Sequence, residues 1–385
     1  MAMRKAQVAV VRASGYELGS VRPAVERALD LIGGLESVVR PGARVFVKIN
    51  HLPPPSPPER GIITHPKLAE AVLTLLRDLT PHIALGDDIH PANPDGFTVS
   101  GYRELCRRLG VELVNLRERG FVRVPCAGVV LREVFLARAV AEAEVLVDLP
   151  KLKTHSLTLF TGAVKNMYGA IPAGLRTRYH GEYPKPAEFG QLLVDIFSVA
   201  KPHLTVMDGI MAMEGAGPAN GTLRPLGLVL AGRDAVAVDA VASRIIGIDP
   251  FRVGTTKAAH ERGLGVGDLQ EIEVLGEPTF AVAGRDFRLP PIPAGEIVGW
   301  FPQALTGFVT RRLRPQPKVA TKRCVGCGAC AAACPTGAAQ LRAGKARIDR
   351  RRCIQCMCCH EACRFGAIVL PQSRWALVLG ARRRR

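Results

Sequence analysis

The stretch Cys-Val-Gly-Cys-Gly-Ala-Cys-Ala-Ala-Ala-Cys-Pro-Thr-Gly-Ala, residues 324–338, decides the fold of the last part of this chain. Residues 353–367 repeat its pattern of Cys-x2-Cys-x2-Cys-x3-Cys followed by Gly-Ala. No other internal repeat is visible in the 385 residues. Two equal halves imply two equal sites.

Bacterial ferredoxins use this cysteine spacing to hold 4Fe-4S clusters, and the fourth cysteine of each run binds the cluster of the other run. A tight loop aims three thiolates at one cluster, and the fourth cysteine is expected to start a helix and to point at the neighbouring cluster. The segment is therefore predicted to be a small ferredoxin-like (α+β) domain with two 4Fe-4S clusters. The predicted ligands are Cys324, Cys327, Cys330 and Cys363 for the first cluster, and Cys353, Cys356, Cys359 and Cys334 for the second.

A pair of zinc sites is the alternative, because Cys-x2-Cys pairs are also common in zinc ribbons. Two complete four-cysteine runs, with Pro335 after the first, favour the iron–sulfur interpretation. The second run has Arg364 in place of the usual proline. The remaining cysteines are predicted to be packed thiols, namely Cys106, Cys126 and Cys358.

The positive charge of the chain is concentrated at its end. Residues 311–385 carry 18 Lys or Arg against Asp349 and Glu361, which gives 18 − 2 = +16 of the total of +18. Two oxidised clusters offset only about 4 of these charges, at about −2 each with their thiolates. The excess predicts an acidic partner, first of all a redox partner protein, with peripheral contact to an anionic membrane surface as an alternative. Nucleic acid is disfavoured, because aromatic residues make up only 5% of the chain.

The N-terminal segment has too short an apolar run for a signal-peptide core, and no stretch reaches the roughly 18 apolar residues of a membrane span. Eleven cysteines without an export signal favour metal or redox use in a compartment that keeps thiols reduced. The sequence therefore predicts a cytoplasmic protein with no transmembrane span.

Residues 1–290 alternate short β-type runs with helical patterns, which predicts a layered α/β domain. Pro66 suits the first turn of one of its helices. The predicted strands are 8–11, 44–49, 82–86, 111–116, 144–149, 204–207, 226–230 and 272–275. The predicted helices, with apolar residues three and four apart, are 21–32, 66–79, 102–109 and 235–246.

Prolines mark residues 291–318 as a linker between this domain and a ferredoxin-type domain at 319–372, which a basic tail follows at 373–385. Apolar residues between 297 and 309 recur near helical spacing. They predict an amphipathic helix that docks the small domain on the large one, with an interfacial membrane helix as the alternative.

Open α/β sheets bind ligands just beyond the carboxyl ends of their strands, and three predicted strands end in polar residues there. These residues are Lys48, Asn50 and His51, then Asp87, Asp88 and His90, and finally Lys151, Lys153 and His155. Lys165 and Asn166 follow in a helix-like stretch, and Asp208 and Glu214 follow the strand at 204–207. No Gly-x-Gly-x-x-Gly or Walker motif occurs, which disfavours an ordinary nucleotide site.

Lysines combined with asparagines suit a carboxylate or phosphate, and two acids suit a divalent cation or acid–base catalysis. A small anionic ligand is therefore predicted, and a divalent cation is a further candidate. The predicted cofactor-binding residues are Lys48, Asn50 and Asp87. The predicted catalytic residues are Lys153, His155, Lys165, Asn166, Asp208 and Glu214.

Six stretches of the α/β region resemble the iron–sulfur proteins known as domain of unknown function 362. They are Val-Lys-Ile-Asn at 47–50, Thr-His-Pro at 64–66, Pro-Lys-Leu-Lys-Thr-His at 150–155, Val-Lys-Asn-Met-Tyr-Gly at 164–169, Met-Asp-Gly-Ile-Met-Ala-Met-Glu-Gly-Ala-Gly-Pro at 207–218 and Asp-Ala-Val-Ala-Val-Asp-Ala-Val at 234–241. The family more often has Lys-Pro-Asn than the Lys-Ile-Asn found here. The resemblance implies an α/β domain with an unassigned site, joined to a two-cluster ferredoxin domain.

Two functions compete. The first is an oxidoreductase in which the clusters relay electrons to a substrate in the α/β domain, where lysines hold an anion and His155 or Glu214 moves protons. The second is a non-catalytic electron carrier or assembly protein that binds an acidic partner. Convergence of the predicted residues on one place near a cluster favours the first function.

Overall fold

The structure is a computed structural model that describes residues 5–52, 55–89, 95–279, 286–290 and 315–371. Three subjects of the sequence predictions lie outside the described residues: His90, the amphipathic segment at 297–309 and the basic tail at 373–385. None of the helices in the described ranges is long and apolar enough to cross a lipid bilayer.

A 10-stranded mixed sheet organises the α/β domain. Its strands are β1 (Ala6–Arg12), β2 (Val45–Ile49), β3 (Ile83–Asp87), β4 (Glu112–Asn115), β7 (Val145–Leu149), β8 (Lys151–His155), β9 (Leu159–Thr161), β10 (Leu204–Glu214), β11 (Thr222–Gly232) and β12 (Ile272–Gly276). The main path runs β12-β1-β11-β10-β7-β2-β3-β4, and β8 and β9 extend from β10. The strands from β10 to β4 on this path are parallel, so their carboxyl ends share one edge. A separate hairpin pairs β5 (Phe121–Pro125) with β6 (Glu133–Ala137).

Helices cover both faces of this sheet. They are α1 (Leu18–Leu31), α2 (Pro66–Arg77), α3 (Gly96–Val99), α4 (Tyr102–Leu109), α5 (Arg138–Ala141), α6 (Ala163–Asn166), α7 (Ala173–Glu182), α8 (Pro186–Val199), α9 (Ala235–Ile245) and α10 (Gly254–Glu261). Strand β2 shows the layering, because Val45, Val47 and Ile49 pack in the core under α1 and α2, while Phe46 packs on the other face with α8. The predicted layered α/β domain is confirmed, and α2 begins at Pro66 as predicted.

The small domain consists of two similar halves. It contains the strands β13 (Lys318–Val319), β14 (Ala339–Arg342), β15 (Lys345–Ile348) and β16 (Ile368–Val369) and the short helices α11 (Ala329–Ala332) and α12 (Cys358–Glu361). Strand β13 pairs with β16, and β14 pairs with β15. Because the outermost strands pair with each other, the two repeats close into one unit.

Two local predictions are wrong. Residues 151–155 were expected to lie just beyond the end of a strand, but they form a strand of their own, β8, between β9 and β10, and β10 continues past Asp208 to Glu214. A lysine-rich run does not have the pattern of a buried strand, since burying an ammonium group is costly unless hydrogen-bond or ion-pair partners surround it. The fourth cysteine of the first run does not start a helix either. Helix α11 contains the third cysteine, Cys330, and ends before Cys334.

Candidate functional site

The eight predicted ligand cysteines form two groups, and each group surrounds its own cavity. The first group consists of Cys324, Cys327, Cys330 and Cys363, and the second of Cys334, Cys353, Cys356 and Cys359. Each group takes one cysteine from the other repeat, which is the crossed arrangement that the spacing predicts. The fold produces it because β13 and β16 bring the two runs together head to tail.

Backbone N–H groups are directed at three of these sulfurs. Such bonds favour the thiolate that an iron–sulfur cluster needs and tune the cluster's potential. The hydrogen bond from Ala346 is the main cause that lowers the pKa of Cys324. Thiols in two groups of four with N–H donors fit 4Fe-4S ligation. The three bonds run from the N–H groups of Ala346, Ala339 and Ala367 to the sulfurs of Cys324, Cys334 and Cys363, at 3.3, 3.3 and 3.2 Å.

In the α/β domain, β8 places three ionisable side chains on one side of a strand. Lys151, Lys153 and His155 alternate with Leu152 and Thr154, and successive side chains of a strand point to opposite faces. All three are buried, with exposed fractions of 1% or less. The strand therefore concentrates positive charge in the interior.

Lys151 is neutralised by a carboxylate on the neighbouring strand. Its Nζ donates to Asp208 Oδ2 at 2.7 Å and to the Tyr16 hydroxyl oxygen at 2.7 Å. The Tyr16 hydroxyl donates to Asp208 Oδ1 at 2.8 Å, and the His65 N–H donates to Asp208 Oδ2 at 2.9 Å. The His65 ring stacks on the Tyr16 ring with centroids 3.7 Å apart. Both carboxylate oxygens of Asp208 are therefore engaged inside the protein.

Lys48 and Asp87 form a second buried ion pair across β2 and β3. Lys48 Nζ lies 2.8 Å from Asp87 Oδ2 and also donates to the Ile49 carbonyl oxygen at 2.8 Å. The N–H group of His51 donates to the same Asp87 oxygen at 2.8 Å. A Cβ on Gly169 would lie only 2.8 Å from Lys48 Nζ, so glycine leaves room for this pair.

Next to this pair, two side-chain amides and one carboxyl group form a hydrogen-bonded chain that leaves an oxygen atom at each end without a partner. Asn50 Nδ2 donates to Asn166 Oδ1 at 3.0 Å, and Asn166 Nδ2 donates to Asp148 Oδ1 at 2.7 Å. Asn50 Oδ1 and Asp148 Oδ2 are buried without a hydrogen-bond partner among the described residues. Burial raises the pKa of Asp148 well above its ordinary value. A buried oxygen without a hydrogen-bond partner calls for an explanation, and a bound ligand is one such explanation.

A buried carboxylate holds the short helix α6, which carries Lys165 and Asn166. The N–H groups of Ala163 and Val164 donate to Asp239 Oδ1 and Oδ2 at 2.6 and 3.0 Å. Burial raises the pKa of Asp239 to about 7, although these two hydrogen bonds act in the opposite direction. Asp239 therefore positions α6 without itself reaching the lysines.

Replacing Asp239 with alanine is expected to lower the free energy of unfolding by about 1–3 kcal/mol for each buried N–H group left unpaired. Because its folded pKa lies above the ordinary value of 3.8, the native wild type binds more protons than the unfolded chain between these values. The contribution of Asp239 to wild-type stability should thus fall by at most about 1.4 kcal/mol per pH unit as pH rises towards 7. Denaturation of both proteins between pH 5 and 8 measures this. The difference between them should shrink as pH rises, and a constant difference would contradict the assignment.

Lys153 and Lys165 differ from the other two lysines because neither forms an ion pair with a described carboxylate. Lys153 Nζ donates only to the Ile62 carbonyl oxygen, at 2.6 Å, and the Lys165 ammonium lies 6.0 Å from the centre of the Tyr168 ring. Burial lowers the pKa of Lys153 well below its ordinary value, and it lowers that of Lys165 in the same direction. The positive charges of Lys165 and Lys151 lower the Lys153 value further. An anion bound here would reverse these effects.

His155 faces the small domain. Its Nδ1 accepts the N–H groups of Leu157 and Thr158 at 3.1 and 3.3 Å, so the proton of the neutral ring is on Nε2. That Nε2 lies 3.4 Å from Oε1 of Glu361 in α12, and neither atom has a hydrogen-bond partner among the described residues. Burial lowers the pKa of His155 well below its ordinary value.

Other contacts seat the small domain on the α/β domain. Asn220 Nδ2 donates to the His360 carbonyl oxygen at 2.7 Å, and His360 Nε2 lies 3.1 Å from the Ala216 carbonyl oxygen. A Cβ on Gly181 would lie 3.2 Å from Pro335. Cys358, between two cysteines of the second group, is close enough to Lys165 to raise its pKa, against the larger effect of burial. The second cysteine group therefore adjoins the lysine site.

Glu214 does not join this site. Its carboxylate binds Arg288, accepting the side-chain Nε at 2.7 Å and the backbone N–H at 3.0 Å. It lies six positions after Asp208 on β10, or roughly 20 Å of extended strand. Nowhere in the described ranges do three His, Cys, Asp or Glu side chains converge as ligands of a single ion. The expected pairing of Asp208 with Glu214, as a cation site or as an acid and base, is therefore wrong.

The structure adds four residues that the sequence reading missed: Tyr16, Asp148, Asp239 and Glu361. Asp148 had a usable signal, because an acid inside the apolar run Val-Leu-Val-Asp-Leu must be buried with a partner. Glu361 had none, since it lies in the ferredoxin repeat and reaches the site only through docking of the two domains.

Comparisons with known proteins agree with the motifs. The model of the family described as "Domain of unknown function (DUF362)" matches residues 45–244, and that of the "4Fe-4S dicluster domain" matches residues 316–364. They confirm the resemblance that the motifs predict. A thylakoid-associated protein of Synechocystis sp. is 33% identical over 287 residues, which cover 74% of this chain and 88% of that protein.

Similarity to solved structures is weak. A lactate racemase apoprotein from Thermoanaerobacterium thermosaccharolyticum is 10% identical, with a TM-score of 0.39 over 60% of this chain and 54% of that one. A protein from Thermotoga maritima is 12% identical, with a TM-score of 0.38 over 66% and 60%. The chain thus spans less than two thirds of either structure.

Proposed function

The chain belongs to the family described as domain of unknown function DUF362 and carries a 4Fe-4S domain, and we propose that it is an iron–sulfur oxidoreductase that delivers electrons to a small anionic ligand. The ligand would lie at Lys153, Lys165 and His155. The observation that carries the proposal is the position of the small domain against the α/β domain. Its helix α12, which contains Cys359 of the second group, places Glu361 3.4 Å from His155 Nε2.

The lysines support an anion. Lys153 is fully buried and Lys165 partly buried. Such amines without a carboxylate partner are costly in the charged form, and an oxyanion that accepts their protons as hydrogen bonds offsets this cost. Lys48 and Lys151 cannot serve in the same way, because Asp87 and Asp208 already neutralise them. The charge available for a ligand is therefore that of Lys153 and Lys165.

Two 4Fe-4S clusters, one in each cysteine group, would supply single electrons when bound. The protein's own groups would supply orientation and protons. The Nε2–H group of His155, which has no hydrogen-bond partner among the described residues, can donate to a bound oxygen atom, while Lys153 can take up a proton as the anion binds and return it later. Asn50 Oδ1 offers an acceptor to a hydroxyl group of a ligand.

Binding is expected to depend on Lys165 and to take up protons. We would titrate the protein, purified without oxygen, with phosphate, sulfate and oxalate by calorimetry in two buffers of different ionisation enthalpy. Lys165→Met should weaken binding at least tenfold, and Lys153→Met should also remove the proton uptake, as expected for lost charged hydrogen bonds. Lys201→Met, an exposed lysine on the same domain, is the control and should leave binding unchanged.

The same titration distinguishes the alternative. If none of the three anions binds, or if Lys201→Met weakens binding as much as Lys165→Met, the anion site is rejected. A non-catalytic electron carrier or assembly protein would then explain the chain better. Anion-induced change in the electron paramagnetic resonance of the reduced protein would favour the oxidoreductase.

The proposal includes a cytoplasmic location, because the cytoplasm keeps cluster thiols reduced. It also includes an acidic redox partner, for which the basic C-terminal region is suited. Peripheral membrane contact is the second candidate for that region, and one relative is described as thylakoid-associated. Sedimentation with anionic vesicles at low and high salt would test it.

A further inference from the structure

A groove of about 480 Å³ runs along the seam between the two domains, on the side of the first cysteine group. The α/β domain contributes Arg60 and part of the segment 216–223, and the small domain contributes Arg323, His360 and most of the segment 364–370. The six side chains that matter here are Arg60, Asn220, Leu223, Arg323, Arg364 and Phe365. Asn220 also holds the seam, through its bond to the His360 carbonyl oxygen.

The charge of this groove is uncompensated. Three arginines line it, no aspartate or glutamate is among its described lining residues, and none of the three forms an ion pair with a described carboxylate. Arg364, which replaces the usual proline of the second run, lies over the Phe365 ring with its guanidinium carbon 4.9 Å from the ring centre. A guanidinium stacked on a ring is held ready for a planar carboxylate.

Apolar side chains lie exposed beside these arginines. Leu223 is 36% exposed and Phe365 39%, and both line the groove. Exposed apolar side chains next to arginine are the composition of the centre of a protein interface, where aromatic residues and Arg are enriched and Lys is depleted. A free small anion would need the arginines but would have no use for the apolar surface.

The groove also adjoins the first cysteine group. Phe365 and Ile368 line both the groove and the cavity that Cys324, Cys327, Cys330 and Cys363 surround. Cys327 is itself exposed. The second cysteine group, by contrast, adjoins the lysine site through α12.

We infer that this groove, formed by both domains, is the docking surface for an acidic electron-carrier protein. Its carboxylates pair with Arg60, Arg323 and Arg364, while its apolar contact surface covers Leu223 and Phe365. The inference rests on the proposed function only in that it makes the partner a redox protein. The partner's side of the molecule is then distinct from the ligand's side.

Binding of two acidic probes tests this: a plant-type [2Fe–2S] ferredoxin and a flavodoxin. Affinity for the wild-type full chain, measured by calorimetry at several salt concentrations, should fall as salt rises, because screening weakens contacts between exposed charges. Arg323→Glu/Arg364→Glu should weaken binding at least tenfold and flatten the salt dependence. Equal visible absorption of variant and wild type shows that the domain is intact.

The matched control is Arg342→Glu/Arg347→Glu, which reverses two exposed arginines of the β14–β15 hairpin outside the groove. It makes the same change of net charge and should weaken binding less than threefold. Equal loss in both double variants would overturn the groove and leave a diffuse charge effect. Absence of binding to both probes would also overturn it, as would equally tight, competing binding of duplex DNA or anionic vesicles.

Failure here is separable from failure of the proposed function. The groove variant should retain the oxyanion binding that depends on Lys165, and Lys165→Met should retain the ferredoxin binding. Loss of oxyanion binding alone rejects the ligand site and leaves the docking surface in place. Loss of ferredoxin binding by Lys165→Met would contradict the separation of the two surfaces.

Discussion

Replacing Cys334 with serine is expected to remove the iron of the second repeat, although Cys334 itself belongs to the first repeat. Cys334 surrounds the same cavity as Cys353, Cys356 and Cys359. The loss of one thiolate from a four-thiolate site should lower the iron content from about eight to about four per chain. Iron and sulfide analysis of protein purified without oxygen measures this.

Double variants test directly which cysteines belong to the same cluster. Cys334→Ser/Cys353→Ser removes two ligands of one group and should retain about four irons, whereas Cys334→Ser/Cys324→Ser damages both groups and should retain almost none. Ligation within each repeat would give the reverse pattern. Cys358→Ser is the control, because Cys358 lines neither cavity, and it should retain about eight irons. Zinc in place of iron in the wild type would restore the alternative of two zinc sites.

Replacing Asp208 with leucine is expected to lower the free energy of unfolding by about 3–5 kcal/mol. The change leaves the ammonium group of Lys151, now 2.7 Å from Asp208 Oδ2, buried without its anion, and breaking a buried pair from one side is strongly destabilising. The Tyr16 hydroxyl and the His65 N–H lose an acceptor at the same time. Chemical denaturation followed by circular dichroism in the far ultraviolet measures the loss.

The double variant Asp208→Leu/Lys151→Met removes both charges and should recover most of that stability, because an apolar pair can replace a buried ion pair with little cost. Glu188→Leu breaks the exposed Lys185–Glu188 pair and serves as the control, with an expected change below about 1 kcal/mol. An Asp208→Leu effect as small as the control's would show that Asp208 does not neutralise Lys151. No recovery in the double variant would show that Tyr16 and His65 depend on the carboxylate more than Lys151 does.

The four lysines of the α/β domain therefore have two different roles. Lys48 and Lys151 are paired and hold strands together around the site. Lys153 and Lys165 have no described carboxylate in ion-pair contact and lie where the small domain closes over them. A substitution of a paired lysine should appear in stability, whereas a substitution of an unpaired one should appear in ligand binding.

Much of the fold follows from local patterns. The strands at 45–49, 83–87 and 145–149 and the helix that begins at Pro66 are visible as apolar runs and periodicity, because each buries a face or stripe of its own residues. Strand β8 cannot be predicted from such local patterns. Lys151 is tolerated in the interior because Asp208 lies opposite it on β10, and a sequence window contains no information about a strand 57 residues away.

The sequence by itself determined the cysteine chemistry, since spacing within a tight loop fixes where each thiol can point, and it determined that a layered α/β domain precedes the cysteine repeats. Only the tertiary structure decided which charged side chains form ion pairs with one another. Asp208 pairs with Lys151 and Glu214 with Arg288, while Glu361 of the small domain lies 3.4 Å from His155 Nε2. The physical reason is that an ion pair depends on the distance between two side chains in space. Chain connectivity sets that distance for residues close in sequence, whereas packing alone sets it for residues far apart in sequence.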